Sequence, residues 1–198
     1  MLSTLTFFWL HHQTFYKRLQ SDVLTSIPRA TAERQWADVG CSTGLMSRLA
    51  QQLGYSVTGY DINASSLVLA RLLSSHIVYE NKDFTTLNKT FDVVTATSLL
   101  SVMDDKEMAL TKLISLLKDE HATLILIEPT DKMTVTNVWG LIENIKSFWY
   151  YKGLLLWAKA REGKAVPVTI FKNMNGVSVN HDYYLKGMVR VSYVRHAV

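Results

Sequence analysis

The run Ala37-Asp38-Val39-Gly40-Cys41-Ser42-Thr43-Gly44 places an acid, two glycines and two hydroxyls between an apolar strand and the start of a helix. Glycine at positions 40 and 44 permits a tight turn and lets a ligand approach the backbone, while the free amides of a helix N-terminus face it. Asp61 follows Asp38 by 23 residues, at the tip of the next apolar strand. A carboxylate there can accept hydrogen bonds from both hydroxyls of a ribose. The spacing is Gly-x-Ser-x-Gly rather than the Gly-x-Gly-x-x-Gly of pyrophosphate-binding turns, so an adenosine ligand without phosphates is favoured.

These residues need a scaffold that brings strand tips together. From Gln35 to Ile127 the sequence alternates β-rich runs with helical periods, the pattern of a parallel sheet with crossover helices. Strands are predicted at Gln35–Val39, Ser56–Tyr60, Ile77–Glu80, Phe91–Ala96 and Thr123–Ile127. Helices are predicted at Leu45–Leu53, Ala64–Leu73 and Lys106–Leu117, with Gly54 at a C-cap and Asp104 as an N-cap. Residues 1–34 read as a helical cap in which Phe15, Leu19, Val23 and Leu24 share one side, closed by Pro28. Residues 35–129 form the ligand-binding core, 130–187 a lid and 188–198 a final strand, all in one domain. The lid is predicted to be helical over Asn137–Ala160, interrupted at Gly140 and Gly153. Late strands are expected at Val166–Phe171 and Met188–Val194, separated by the polar stretch Asn173–Asn180. The expected fold is therefore α/β: a mostly parallel sheet with helices on both faces, late antiparallel strands, a helical cap and a helical lid after the fifth strand.

Residues 35–129 resemble the class I S-adenosylmethionine-dependent methyltransferases, with five motifs in the family's order. Asp38–Gly44 is similar to the first motif, Gly59-Tyr60-Asp61-Ile62 to the second and Asn81-Lys82-Asp83-Phe84 to the loop after the third strand. Phe91–Ser98 is similar to the fourth, and Leu116–Lys118 with Leu124–Pro129 to the following helix and strand. The resemblance implies a Rossmann-like fold, S-adenosylmethionine as cofactor and S-adenosylhomocysteine as product. It also implies roles. Asp38 would anchor the turn and the methionine ammonium end; Gly40, Ser42 and Gly44 would carry that end on the backbone; Asp61, with Ile62 beside it, would hold the ribose. Asp83 would take the adenine amino group, Phe84 would offer an amide and a ring to the base, Thr97 and Ser98 would border the sulfonium, and Tyr16 would close over the cofactor. The chain departs from the family at Ser42, which stands where a glycine is usual and gives up some backbone freedom.

A sulfonium methyl is already electrophilic, so placement of the nucleophile carries most of the catalysis, with proton removal where the nucleophile is protonated. His11, His12, His181 and Tyr183 lie in segments expected around the pocket, and His11 and His181 are the preferred bases. His76 and His121 precede the third and fifth strands, at the wrong end of the sheet. No histidine pair has metal-ligand spacing with a nearby acid, and no metal is expected.

The acceptor is expected to be a small molecule. Ala96-Thr97-Ser98-Leu99 lacks the Asn/Asp-Pro-Pro-aromatic signature of the amino-methylating nucleic-acid enzymes, which disfavours base methylation. The aromatic segment Trp139–Trp157 could line a pocket for an apolar or aromatic molecule. Lys146, Lys152, Lys159, Arg161 and Lys164 could meet its carboxylate or phosphate. The same residues could instead form a membrane-surface helix or the core of the lid. Residues 1–128 hold 11 Lys/Arg against 13 Asp/Glu, and residues 129–198 hold 10 against 4, so the last third suits an anionic partner. An RNA or protein methyltransferase, a nicotinamide-dependent oxidoreductase and a non-catalytic cofactor-binding protein stand as alternatives. Cys41 is the sole cysteine, which excludes an intrachain disulfide scaffold and points to a reducing, cytoplasmic setting. The apolar runs are shorter than the ~18–20 residues of a membrane-spanning helix, and the first residues lack the basic region and cleavage site of a secretory signal.

Overall fold

The computed structural model describes residues 4–145 and 148–197. Among them, seven strands form one sheet in the order β3-β2-β1-β4-β5-β7-β6. These are β1 Gln35–Val39, β2 Ser56–Asp61, β3 Val78–Asn81, β4 Val93–Thr97, β5 Thr123–Pro129, β6 Val177–Tyr184 and β7 Val189–His196. The first five run parallel, so their carboxyl ends share one edge; β7 is antiparallel to both β5 and β6. The chain reverses its strand order between β1 and β4, where open α/β sheets bind ligands.

The helices are α1 Thr4–His11, α2 Thr14–Leu24, α3 Leu45–Gln52, α4 Ala64–Leu73, α5 Lys106–Ser115, α6 Val135–Ile145 and α7 Phe148–Arg161. Side-chain alternation along β1 divides the core. Trp36 packs on the face covered by α1–α4, α6 and α7, with Leu67, Leu154 and Trp157; Ala37 and Val39 face α5 through Leu110 and Leu113. Trp36 is fully buried and donates through Nε1 to the Thr95 hydroxyl at 3.0 Å, so its polar edge is satisfied within the core.

Several expectations are corrected. Val166–Phe171 is not a strand: Pro167 withholds a ladder donor, and Val168–Phe171 winds into a 3-10 turn that sends Ile170 into the core. The outer strand is β6, whose alternating Val177, Val179 and His181 lie partly within the stretch read as a polar separator. It therefore extends the sheet rather than the lid. Asp105, not Asp104, caps α5 by accepting from the Met108 amide at 2.8 Å. Gly140 and Gly153 lie inside helices and interrupt neither. At Gly153 an added Cβ would stand 2.8 Å from Gln13 Cγ and 3.0 Å from Phe15 Cε1, so this glycine serves close approach of α7 to the α1–α2 corner.

Candidate functional site

The tip of β1 turns through three left-handed residues, Gly40 (φ 69°), Ser42 (φ 50°) and Gly44 (φ 72°). The amides of Gly40 and Cys41 donate to the Tyr60 carbonyl at 2.8 and 3.1 Å, which ties the turn to β2. A side chain at position 44 would collide with Tyr79, so glycine is required there for space as well as for φ. Ser42 accepts a conformation that disfavours L-residues by roughly 1–2 kcal/mol.

Asp61 stands across the turn. Its Oδ2 accepts from the Ser42 amide and its Oδ1 from the Asn63 amide, each at 2.8 Å, and each oxygen keeps a lone pair. Desolvation pushes its carboxyl up, against these two bonds. Asp38 lies beneath the turn, fully enclosed. It accepts from the Ser47 hydroxyl at 2.5 Å and the Thr95 hydroxyl at 3.2 Å, and burial pushes its carboxyl up to about 6. Among the described residues, the hydroxyls of Ser42, Thr97 and Ser98 are buried without a hydrogen-bond partner. Buried hydroxyls are ordinarily satisfied. Three orphans at neighbouring strand tips therefore fit the polar methionine end of a bound cofactor.

Beyond β2, Ile62 is 75% exposed. Asp83 caps the turn Phe84–Thr86 through Oδ1 to the Thr85 amide at 2.9 Å, leaving Oδ2 open. The ring of Phe84 is buried in the α5-side core, so only its backbone faces the site edge. Helix α1 closes the top. Its first residue, Thr4, lies 3.4 Å from both Asn63 Nδ2 and Ser66 Oγ, and at its other end His11 Nδ1 stands 2.8 Å from Thr43 Oγ1. Tyr16 stacks on His11 with ring centroids 5.1 Å apart and meets Trp157 of α7 edge-on at 5.2 Å. Burial also pushes the Tyr16 phenol up.

The structure thus brings His11 to the turn but separates His181 from it. His181 lies on the outer strand β6, with Nδ1 3.0 Å from Ser192 Oγ and its ring tilted against Phe171. Four strand spacings of about 4.8 Å, roughly 19 Å, lie between β6 and β1, which removes His181 from the set around Gly40–Gly44. His11 is a weak base. Desolvation, with Arg48 and His12 nearby, lowers its pKa from 6.5 to about 3, so it is neutral at physiological pH. The sign of the linkage follows: below pH 6.5 the unfolded chain binds a proton that the folded chain refuses. Wild-type protein should lose up to about 1.4 kcal/mol per pH unit relative to His11→Asn between pH 6.5 and 3. Paired denaturant titrations at several pH values read this difference, and a constant gap would contradict a neutral buried His11.

Two residues that the sequence reading did not place here join the site. Glu128, near the tip of β5, is 1% exposed; its Oε1 accepts from the Leu100 amide at 2.8 Å and its Oε2 from the Ser101 amide at 3.2 Å. Burial pushes it up to about 7, against these bonds and the positive fields of Arg161 and Arg190. An acid ending an otherwise apolar strand was its available signal, as it was for Asp38. Arg161, expected among the lid cations, is buried beside Tyr16 and Glu128, and its Nε has no partner among the described residues. Lys159 and Lys164 are exposed, Lys152 stacks on Trp9 and Trp149, and Lys146 lies outside the described residues.

The sequence profile of a methyltransferase-domain family matches residues 9–160. The chain belongs to this methyltransferase family. The methyltransferase uses S-adenosylmethionine, as the motif order implied. No curated protein sequence matches it. Among solved structures it is similar to the plantazolicin methyltransferase BpumL in complex with a triazolic desmethylPZN analog and SAH. That match has a TM-score of 0.69 at 13% identity, over 94% of this chain and 87% of the other. The N-methyltransferase NodS from Bradyrhizobium japonicum WM9 matches with a TM-score of 0.63 at 12% identity, over 93% and 97% of the two chains. A TehB-like SAM-dependent methyltransferase from Corynebacterium glutamicum ATCC 13032 Kitasato matches with a TM-score of 0.61 at 12% identity, over 89% and 86%. At these identities the likeness is one of fold. Among the described residues, no helix of the methyltransferase is long and apolar enough to cross a membrane.

Proposed function

We propose that this methyltransferase moves a methyl group to an oxygen or nitrogen atom of an enclosed small-molecule acceptor. The observation that carries the reading is the roof over the strand tips: α1 spans from Asn63 to Thr43, and α7 closes on it through Gly153 and the Tyr16–Trp157 contact. A closed roof suits a ligand that is swallowed better than a polymer laid across a surface. The structural relatives that hold SAH support the cofactor side of this reading.

When bound, S-adenosylmethionine supplies an electrophilic methyl group on sulfur. Asp61 accepts the ribose hydroxyls through its remaining lone pairs, and Ile62 covers the base. Asp83 takes the adenine amino group at Oδ2, beside the Phe84 amide. Gly40, Ser42 and Gly44 carry the methionine end, with Asp38 holding the turn from beneath through Ser47. Thr97 and Ser98 offer hydroxyls next to the reacting centre, and Arg161 supplies a counter-charge for a carboxylate. Neutral His11 and Tyr16 fix the roof. Exclusion of water and alignment of the acceptor in line with the breaking bond supply most of the rate.

The test is twofold. Calorimetric titration should show micromolar binding of S-adenosylmethionine and S-adenosylhomocysteine but not NAD. Transfer of a labelled methyl group should then be screened against small aromatic acids, peptides and RNA. Label in a small molecule is expected; label confined to RNA or peptide would overturn the acceptor class.

A further inference from the structure

A cavity lies beyond the glycine turn, at the carboxyl end of β5 where β7 begins. Its volume is about 520 Å³, within the usual range for small-molecule sites. Thr130, Asp131 and Lys132 form one wall, the Ala165–Thr169 segment another, and Tyr183 and Arg190 complete it. The site lies close to the methyl-transfer side. Ile127 is paired with Thr97 and accepts from the Ser98 amide at 2.8 Å, and Thr130 is three residues further on.

Arg190 is the unusual wall residue. It is 4% exposed, and among the described residues its side chain makes one hydrogen bond, from Nε to Ser192 Oγ at 3.3 Å. Among the described residues, no carboxylate forms an ion pair with it. Glu128, its cross-strand neighbour, shares its electrostatic field but turns its carboxylate oxygens to the Leu100 and Ser101 amides. The guanidinium instead faces the ring of Phe171, 5.8 Å from its centroid. Among the described residues the remaining guanidinium donors make no hydrogen bond although Arg190 lines the cavity, and its planar fork matches a carboxylate or phosphate. Lys132 adds a second cation: its stem lies over Gly187, with Nζ 3.5 Å from where a Cβ would stand. Asp131 is the opposing charge in the wall, so Arg190 and Lys132 leave the cavity net positive.

We propose that the acceptor carries an oxyanion, carboxylate or phosphate, and that Arg190 with Lys132 holds it in this cavity while the acceptor's nucleophile reaches toward Thr97 and Ser98. This inference rests on the methyltransferase reading above and adds its substrate class and specificity residues. It replaces the exposed lid lysines as the source of anion recognition and accounts for part of the positive balance of the last third of the chain.

The experiment titrates the whole protein, saturated with S-adenosylhomocysteine, with benzoate, phenyl phosphate and neutral benzamide, followed by NMR. At least one anion should bind saturably at millimolar concentration, with benzamide about tenfold weaker or worse. Arg190→Gln should weaken anion binding by roughly ten- to a hundredfold, the range for a lost charge-assisted hydrogen bond, without changing S-adenosylhomocysteine affinity. The preferred anion identifies the group, carboxylate or phosphate. Equal binding of all three probes, no binding of either anion, or wild-type anion affinity in folded Arg190→Gln would overturn the proposal. Exposed Lys132→Gln provides a variant that leaves the core intact; it should weaken the anion severalfold, and an unchanged affinity would count against the site. Failure of S-adenosylhomocysteine to bind wild-type protein would instead overturn the cofactor reading, and the anion titration repeated on the free protein would still judge the cavity.

Discussion

Asp61→Ala should weaken S-adenosylhomocysteine binding by roughly 1.5–3 kcal/mol, about ten- to a hundredfold, as expected for loss of charge-assisted hydrogen bonds. The carboxylate does two things at once. Its free lone pairs would take the ribose hydroxyls, while Oδ2 and Oδ1 receive the Ser42 and Asn63 amides. Alanine removes both functions. Asp61→Asn separates them in part, because the amide oxygen can still accept one backbone donor whereas its NH2 group must face the other. Calorimetry should therefore rank wild type above Asn and Asn above Ala, with the fold retained by circular dichroism. Equal affinity in all three proteins would eliminate Asp61 as the ribose anchor.

Glu128→Leu should reduce stability by roughly 2–4 kcal/mol, since it leaves the buried Leu100 and Ser101 amides without an acceptor. For a chain of this size that corresponds to a melting temperature lower by about 5–15 °C. The effect should depend on pH in a defined direction. Burial raises the folded-state pKa from 4.5 to about 7. The stability Glu128 contributes is therefore complete below pH 4.5 and declines as pH rises through 7. Wild type and variant should differ more at pH 5 than at pH 8, by about 3 kcal/mol if the full shift is expressed. Thermal melts at the two pH values read this directly, and a gap that widens with pH would refute the assignment. Because these amides belong to the segment following Thr97 and Ser98, the same variant should slow methyl transfer more than it weakens cofactor binding. In that role Glu128 is a positioning residue.

The two faces of β1 illustrate how local pattern and tertiary arrangement divide the information. The order of strands and helices from Gln35 to Pro129 was legible because each element writes its period locally, two residues for strands and three to four for helices. The glycine turn and Asp61 were legible for a related reason. A left-handed backbone at Gly40 and Gly44, and an acid at a strand tip, are needs of the chain at those positions. The tail of the protein was not legible in the same way. Val177–Tyr184 is an edge strand with a mixed face, and Val168–Phe171 is an apolar run that Pro167 turns away from the ladder. Neither outcome is settled by the segment alone, since each depends on what β5 and β7 leave open beside them.

The sequence by itself determined the α/β scaffold and the glycine turn, because these rest on short-range spacing, and the family through the resemblance of its motifs. Tertiary structure alone decided which distant charges meet. It separated His181 from the turn by four strand spacings, set His11 against Thr43, placed Glu128 under Leu100 and Ser101, and left Arg190 facing a cavity. Their burial, and with it their protonation and their need for a partner, comes from neighbours far away in the chain that no local periodicity records.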